Sequence, residues 1–185
     1  LNLLDGKAAT NLALLGKTEG TNFTDSLLVG HATTGTLNAA QDNTGVGIGA
    51  LDAITSADSV TAIGNDAATN VTSGGYSTVV GAGAYFTNST GTNNTAVGRF
   101  SLRSSTGSNN VALGKDSGEA LSSGSQNIII GSNTGDQYPT TGSGNVLIGN
   151  NIDADATSSA RTLKIAGYDG STTTTWISGS SAGVV

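Results

Sequence analysis

The chain of 185 residues repeats one short pattern, in which a polar turn is followed by a brief apolar run and a glycine. The clearest copy is TGSNNVALG at residues 106–114. The glycines that end the copies, here called anchors, are Gly16, Gly30, Gly49, Gly64, Gly81, Gly98, Gly114, Gly131 and Gly149. Their spacing is uneven, being shortest from Gly16 to Gly30 and longest from Gly30 to Gly49. A repeat this short is too small for helical hairpins, and it predicts an all-β parallel solenoid with one coil per copy.

The composition fits a thin core that is repeated many times. The chain has 28 glycines, one proline, no cysteine and only 4% aromatic residues. Such a composition is typical of disordered segments, but the hydrophobic 36% recurs at fixed positions of the repeat. A net charge of -6 with only seven Lys and Arg argues against nucleic-acid binding. No apolar run approaches the roughly 18 residues of a membrane span, so we expect no membrane insertion.

The residues around each anchor predict a strand that is apolar on both faces. The residues one and three positions before the anchor share one face, which we expect to be the inside of the coil. The residue between them lies on the other face and is Leu14, Leu28, Gly47, Ala62, Val79, Ala96, Ala112, Ile129 or Leu147. Strands that are apolar on both faces are usually buried on both. This second face therefore predicts contact with another copy of the chain, unless its small residues merely tolerate exposure.

Asparagine occupies the position four residues before the anchor in four copies, at Asn94, Asn110, Asn127 and Asn145. Stacked coils would bring these side chains together as a ladder of amides. The alternative is that each asparagine caps its own turn. The aromatic residues Tyr85, Phe86, Phe100 and Tyr138 lie in segments of variable length, where they either cover the coil or point outward.

Three segments follow from the pattern. Residues 1–20 are a junction or an irregular first coil, with a helix over residues 7–15 as the alternative. Residues 21–155 are the solenoid array. Residues 156–185 are a β-hairpin cap or a transition to a further C-terminal part, because two strand-like runs flank the Asp169-Gly170 turn signal. The chain begins in mid-pattern without a methionine, so we expect it to be a piece of a longer protein.

The residues that could carry chemistry are few. His31 is the single histidine and the glutamates are Glu19 and Glu119. The other candidate acids are spread over different coils, and they are Asp52, Asp58, Asp66, Asp116 and Asp136. Two more, Asp153 and Asp155, are expected to solvate the end of the array. We predict no catalytic, cofactor-binding or metal-binding residue and no enzymatic activity.

Two lesser alternatives stay open. A polysaccharide-degrading tailspike would need carboxylate pairs that stacking brings together. An ice-binding solenoid would need a regular threonine array, and the one tight run in the sequence, Thr172–Thr175, lies outside the array. The glycines of residues 45–49 resemble those of a dinucleotide-binding loop. The pattern predicts no helix after them, so they do not indicate dinucleotide binding.

The repeat resembles two families of surface fibres. The run at residues 110–114, followed by the small residue Ser117, is similar to the head repeat of trimeric autotransporter adhesins. The longer corners, rich in Thr, Gly and Asn, look like those of phage tail-fibre shafts. The resemblance covers about residues 12–150. It implies a left-handed parallel β-roll, with three chains intertwined or side by side around one axis, and no catalytic residues or cofactors.

The resemblance also implies a function. We expect a structural fibre segment for host-surface attachment, part of a phage tail fibre in the virion, with a bacterial surface adhesin head as the alternative. The expected partners are two further copies of the chain, a host cell-surface glycan or protein receptor, and other fibre or baseplate proteins. A pure spacer without binding of its own is equally compatible with the sequence.

Overall fold

The computed structural model of the protein describes residues 23–24, 26–30, 34–137, 140–180 and 182. Throughout these residues the chain is all-β and has no helix. It forms a parallel β-solenoid of about eight turns, which confirms the fold class predicted from the repeat. The predicted junction over residues 1–20, with its alternative helix, lies outside the described residues.

Most coils contribute one three-residue strand to a single long sheet. The strands in the described residues are β1 (Phe23–Thr24), β2 (Leu27–Val29), β3 (Ala40–Gln41), β4 (Thr44–Val46), β5 (Thr61–Ile63), β6 (Thr78–Val80), β7 (Thr95–Val97), β8 (Val111–Leu113), β9 (Ile128–Ile130), β10 (Val146–Ile148), β11 (Leu163–Tyr168) and β12 (Thr173–Gly179). In the main sheet β2 and β4 to β11 follow one another in parallel, and β12 pairs antiparallel with β11. A separate parallel pair joins β1 and β3.

The register of the sheet corrects one anchor of the repeat. Val46 pairs with Val29 on one side and with Ile63 on the other, so the glycine that follows β4 in the common register is Gly47, not Gly49. Glycines at three alternate positions, 45, 47 and 49, made the sequence alignment ambiguous here. With Gly47 as the anchor, the anchors of the described coils are almost evenly spaced. The uneven spacing predicted for this part of the array was therefore wrong.

The anchor glycines form a column that runs along the solenoid. Each anchor from Gly30 to Gly149 has a φ between 115° and 156°, in the region that side chains with a Cβ rarely adopt. A Cβ on Gly64 would also lie 2.7 Å from the carbonyl carbon and oxygen of Gly81 in the next coil. The coils therefore turn and stack closely at this corner because no side chain stands between them. The column ends at Gly149, whose neighbour in the next coil is Ala166.

The two faces of the strands are the reverse of those predicted. The middle residue of each strand points into the coil, and Ala62, Ala96 and Ile129 are fully buried. The residues on either side of it point outward and remain partly exposed, as Ile63 (42%) and Ile128 (40%) do. The sequence predicted that the larger aliphatic residues of each strand point inside. In the structure they point outward from the sheet. Where the middle residue is small, as at Ala62 and Ala96, larger side chains from the opposite wall fill the interior.

Those larger side chains come from the segment that follows the anchor. Its fully buried members include Leu51, Ile54, Leu102 and Leu121. The Tyr85 ring is also fully buried, and its hydroxyl receives a hydrogen bond from the Asn94 side-chain amide. Burial raises the pKa of this hydroxyl, so it stays neutral. The core is thus one continuous file of side chains from Leu28 to Ala154.

The four asparagines predicted to stack form a buried ladder along the solenoid. The Oδ1 atom of Asn127 accepts the backbone N–H of Asn145 at 2.9 Å and its side-chain amide at 2.9 Å. The Nδ2 atom of Asn127 donates to the carbonyl oxygen of Gly142 at 3.1 Å and to Oδ1 of Asn110 at 3.0 Å. The same backbone bond links Asn110 to Asn94 at 2.9 Å. Each asparagine therefore binds the next coil, and the ladder, not the isolated turn cap, is the observed arrangement.

The anchor column yields a prediction with an internal control. Gly64→Ala should destabilise the solenoid by more than about 2 kcal/mol, because the new Cβ meets both an unfavourable φ and the backbone of the next coil. Gly170→Ala should cost about 1 kcal/mol, since Gly170 has a φ of 99° but no atom within 4 Å of the position that a Cβ would take. Urea unfolding followed by circular dichroism measures both. Equal losses for the two variants would contradict the close-stacking argument.

The asparagine ladder yields a second prediction. Asn127→Ala should lower the free energy of unfolding by at least about 3 kcal/mol, because it leaves several buried donors and acceptors without partners. The matched control is Asn65→Ala, which removes one exposed hydrogen bond from Nδ2 to the carbonyl oxygen of Ile48. We expect that control to cost no more than about 1 kcal/mol. A small effect at Asn127 in the same urea titration would show that the ladder contributes little.

Candidate interaction surface

The outward face of the main sheet carries two parallel rows of side chains, here called the stripe. The first row is Leu27, Thr44, Thr61, Thr78, Thr95, Val111, Ile128, Val146 and Leu163. The second row is Val29, Val46, Ile63, Val80, Val97, Leu113, Ile130, Ile148 and Ile165. No member of either row is charged. The stripe is therefore a straight, uncharged surface that repeats with every coil.

The stripe changes character along its length. Its first row holds four consecutive threonines from β4 to β7 and is aliphatic from β8 onward. Beyond β11 the same face continues into β12, where Ile177 lies opposite Ile165 and is 43% exposed. Trp176 is 68% exposed and packs over Gly167, where a Cβ would meet its ring at 2.6 Å. The most apolar part of the surface is thus its C-terminal half.

The threonines of the stripe revise one expectation. The sequence placed the single tight run of threonines at 172–175, outside the array. In the structure Thr44, Thr61, Thr78 and Thr95 come together as a column on one face of the sheet, one threonine per coil. Residues that are a full coil apart in the chain become neighbours at about 4.8 Å. A regular threonine column is therefore present within the array.

A different surface forms where the chain leaves the anchors Gly81, Gly98 and Gly114. The Arg99 guanidinium lies 3.9 Å from the centroid of the Phe100 ring. The Arg103 guanidinium lies 4.8 Å from the same ring and 6.0 Å from the Phe86 ring. We call Phe86, Arg99, Phe100, Arg103 and Glu119 the arginine patch. Of the aromatic residues left open by the sequence, Phe86 and Phe100 lie at the surface, Tyr85 is in the core, and Tyr138 is outside the described residues.

Two carboxylates accompany the arginines. Arg103 Nη1 lies 3.5 Å from a Glu119 carboxylate oxygen, and Arg99 Nη1 lies 3.9 Å from Oδ1 of Asp116. Asp116 also pairs with Lys115. The repeat pattern alone did not predict this patch. The signal was present, because Arg103 follows Phe86 at the spacing of one coil and Phe100 follows Gly83 at the same spacing.

Stacking brings candidate acids of neighbouring coils near one another. Glu119, Asp136 and Asp153 follow one another at intervals of one coil. Burial, and then the charge of Asp153, raise the pKa of Asp136 above its ordinary value. Asp58 accepts the backbone N–H of Gln41 at 2.9 Å. Within the described residues, no group of three His, Cys, Asp or Glu side chains could hold a metal ion.

The candidate acids Asp52 and Asp66 are partly buried, and the remaining predicted residues are placed as follows. Asp155 is exposed at the end of the array and pairs with Lys164 at 3.4 Å, while Asp153 accepts the backbone N–H of Gln137 at 3.1 Å. His31 and Glu19 lie outside the described residues. No helix in the described part of the chain is long and apolar enough to cross a membrane.

Comparisons with known proteins give no assignment. No protein-family model, no curated protein and no solved structure matches the chain. The function is therefore argued from the surfaces themselves.

The orientation of the strand faces can be tested by overpacking. Ala96→Leu should lower the free energy of unfolding by about 1–3 kcal/mol, because Ala96 is fully buried in a thin, filled core. Val97→Leu adds bulk at the next residue, which points out of the coil and is 37% exposed on the single chain, so it should cost clearly less than Ala96→Leu. Urea unfolding measures both variants. The reverse order of effects would restore the face assignment predicted from the sequence.

Proposed function

We propose that the protein is a structural segment of a trimeric attachment fibre, most simply a phage tail fibre, with a bacterial adhesin head as the alternative. The observation that carries the proposal is the stripe, an uncharged and largely aliphatic surface on a straight stack of coils. The number of chains, three, comes from the resemblance of the repeat to fibre families. The attachment role also rests on that resemblance.

The stripe is suited to a second copy of the same chain. It has five aliphatic side chains in its first row and nine in its second, and its nine rungs extend over roughly 40 Å. A parallel copy has the same spacing between rungs, so its rows can pack against these rows rung by rung. A partner with another repeat would lose this register after a few coils. Self-association around one axis therefore covers the whole stripe.

The energy of this association is sufficient for a stable assembly. Several stripe residues, including Val46, Leu113 and Ile128, are between 36% and 40% exposed. Full burial of such a side chain contributes about 1.5–3 kcal/mol, so covering the remaining surface contributes about 0.5–1 kcal/mol each, or on the order of 10 kcal/mol per chain. Fixing one chain against another costs about 4–15 kcal/mol. In a closed ring of three chains, all three stripes are buried. Rigid-body freedom is lost for only two of the chains relative to the third, which favours closure.

The mechanism that follows is mechanical and multivalent. Backbone hydrogen bonds join each coil to the next, and the asparagine ladder adds a second set inside. A rod built in this way is stiff along its axis. Three chains around that axis present three identical sets of corners, so weak contacts to a cell surface add by avidity.

The proposal predicts the mass of the particle and a residue that controls it. The purified chain should scatter light as a trimer. Ile128→Lys should shift the mass toward the single chain, because it places a charge in the aliphatic part of the stripe. The control Ser123→Lys adds the same charge at an exposed corner of the same coil and should leave the trimer intact. A folded monomer for the unmodified chain would defeat the fibre proposal.

Ice binding is a second candidate, favoured by one observation. The four threonines form a column with one hydroxyl-bearing side chain per coil, which is the regular threonine array that ice binding would need. In a fibre the same column lies at the axis and is covered. Thermal hysteresis in a solution of the purified chain would support ice binding, and its absence in a trimeric preparation would exclude it.

A further inference from the structure

We propose that the arginine patch binds a carboxylate-bearing sugar of an acidic surface glycan. This inference rests on the attachment role proposed above and adds a site and a ligand class to it. None of the patch residues belongs to the stripe. The patch lies beyond the anchor glycines, so a second copy that packs on the stripe rows alone would leave it accessible.

The patch concentrates positive charge on an acidic chain. Of the basic residues in the described part of the chain, Arg99, Arg103 and Lys115 lie in neighbouring coils, while Arg161 and Lys164 lie near the C-terminal strands. The whole chain carries a net charge of -6. Three cations outnumber the two carboxylates of Asp116 and Glu119 here, so an anion that approaches the acidic array meets a local excess of positive charge.

Both guanidinium groups are held in place before any ligand arrives. The Phe100 ring packs against Gly83 in the preceding coil, where the absence of a Cβ makes room for it. Arg99 and Arg103 both lie over that ring. A cation over an aromatic face is stabilised by about 0.5–1 kcal/mol at an exposed site. Because the side chains are already ordered, less entropy is lost when they bind a ligand.

The N–H groups of the two arginines remain available. Their side chains are 54% and 44% exposed. Their distances to Asp116 and Glu119, 3.9 Å and 3.5 Å, are longer than those of strong charge-assisted hydrogen bonds. Ion pairs this exposed contribute little. A carboxylate that binds a guanidinium through two parallel N–H···O bonds competes with them effectively.

The rest of the patch favours a sugar over a plain anion. The Glu119 carboxylate, whose side chain is 30% exposed, can accept hydrogen bonds from hydroxyl groups. The half-buried Phe86 ring offers an apolar surface for the C–H groups of a pyranose. The carboxylates of Glu119 and Asp116 would repel the closely spaced phosphates of a polyanion. A ring that presents one carboxylate among hydroxyl groups matches both kinds of side chain.

The test is binding of the assembled protein to a printed array of uronic-acid and sialic-acid oligosaccharides beside their neutral counterparts. We expect binding to carboxylated glycans and at least about tenfold weaker binding to the neutral ones. The double variant Arg99→Gln/Arg103→Gln should lose at least about tenfold in affinity. The control Arg161→Gln removes an exposed charge outside the patch and should bind like the unmodified protein.

Three results would overturn the proposal. They are no binding to any carboxylated glycan, a preference for sulfated oligosaccharides printed on the same array, and an equal loss of binding in the Arg161→Gln control. Light scattering on the same samples keeps the two proposals apart. A trimer that does not bind carboxylated glycans would contradict only the sugar-site proposal, whereas a monomer would contradict the fibre proposal.

Discussion

Close stacking of one coil on the next, at a corner where no side chain can stand between them, is the constraint on which this structure depends. The anchor glycines supply that corner, because their φ values lie between 115° and 156° and their neighbours in the next coil are backbone atoms. Once this corner is fixed, the three residues before it enter the sheet in register, coil after coil. Everything else in the array, the core as well as the surfaces, is repeated because this corner is repeated.

Stacking turns single residues into columns, and each column has its own physical role. The middle residues of the strands form a buried apolar row, and larger side chains from the opposite wall pack against it. The asparagines make a polar file inside the same thin core, and they are stable there because each amide binds the next coil. A buried polar group without such a partner would cost about 1–3 kcal/mol. The ladder thus satisfies its own members and adds stiffness along the axis.

The outside of the solenoid separates two kinds of surface. The stripe is uncharged and straight, and it suits a partner with the same repeat. The arginine patch lies on the corners and combines charge with aromatic rings, which suits a small polar ligand. In a fibre the first surface would face the axis and the second would face the solvent. Under the two proposals above, assembly and recognition would involve different residues, so that each could be changed without the other.

The sequence by itself determined the architecture, because an anchor glycine that recurs at a short interval, after an uncharged triplet that ends in an aliphatic residue, allows few other folds. It also located the asparagine ladder, since residues such as Asn110 and Asn127 are equivalent in the repeat. Three things needed the tertiary structure. The anchor of the β4 coil is Gly47, because hydrogen-bond register and not local pattern selects among three glycines. The middle residues of the strands lie inside, because residues as small as Ala96 share one core with larger side chains of the opposite wall, such as Leu102. The arginine patch joins residues a full coil apart, and only stacking decides which of them touch.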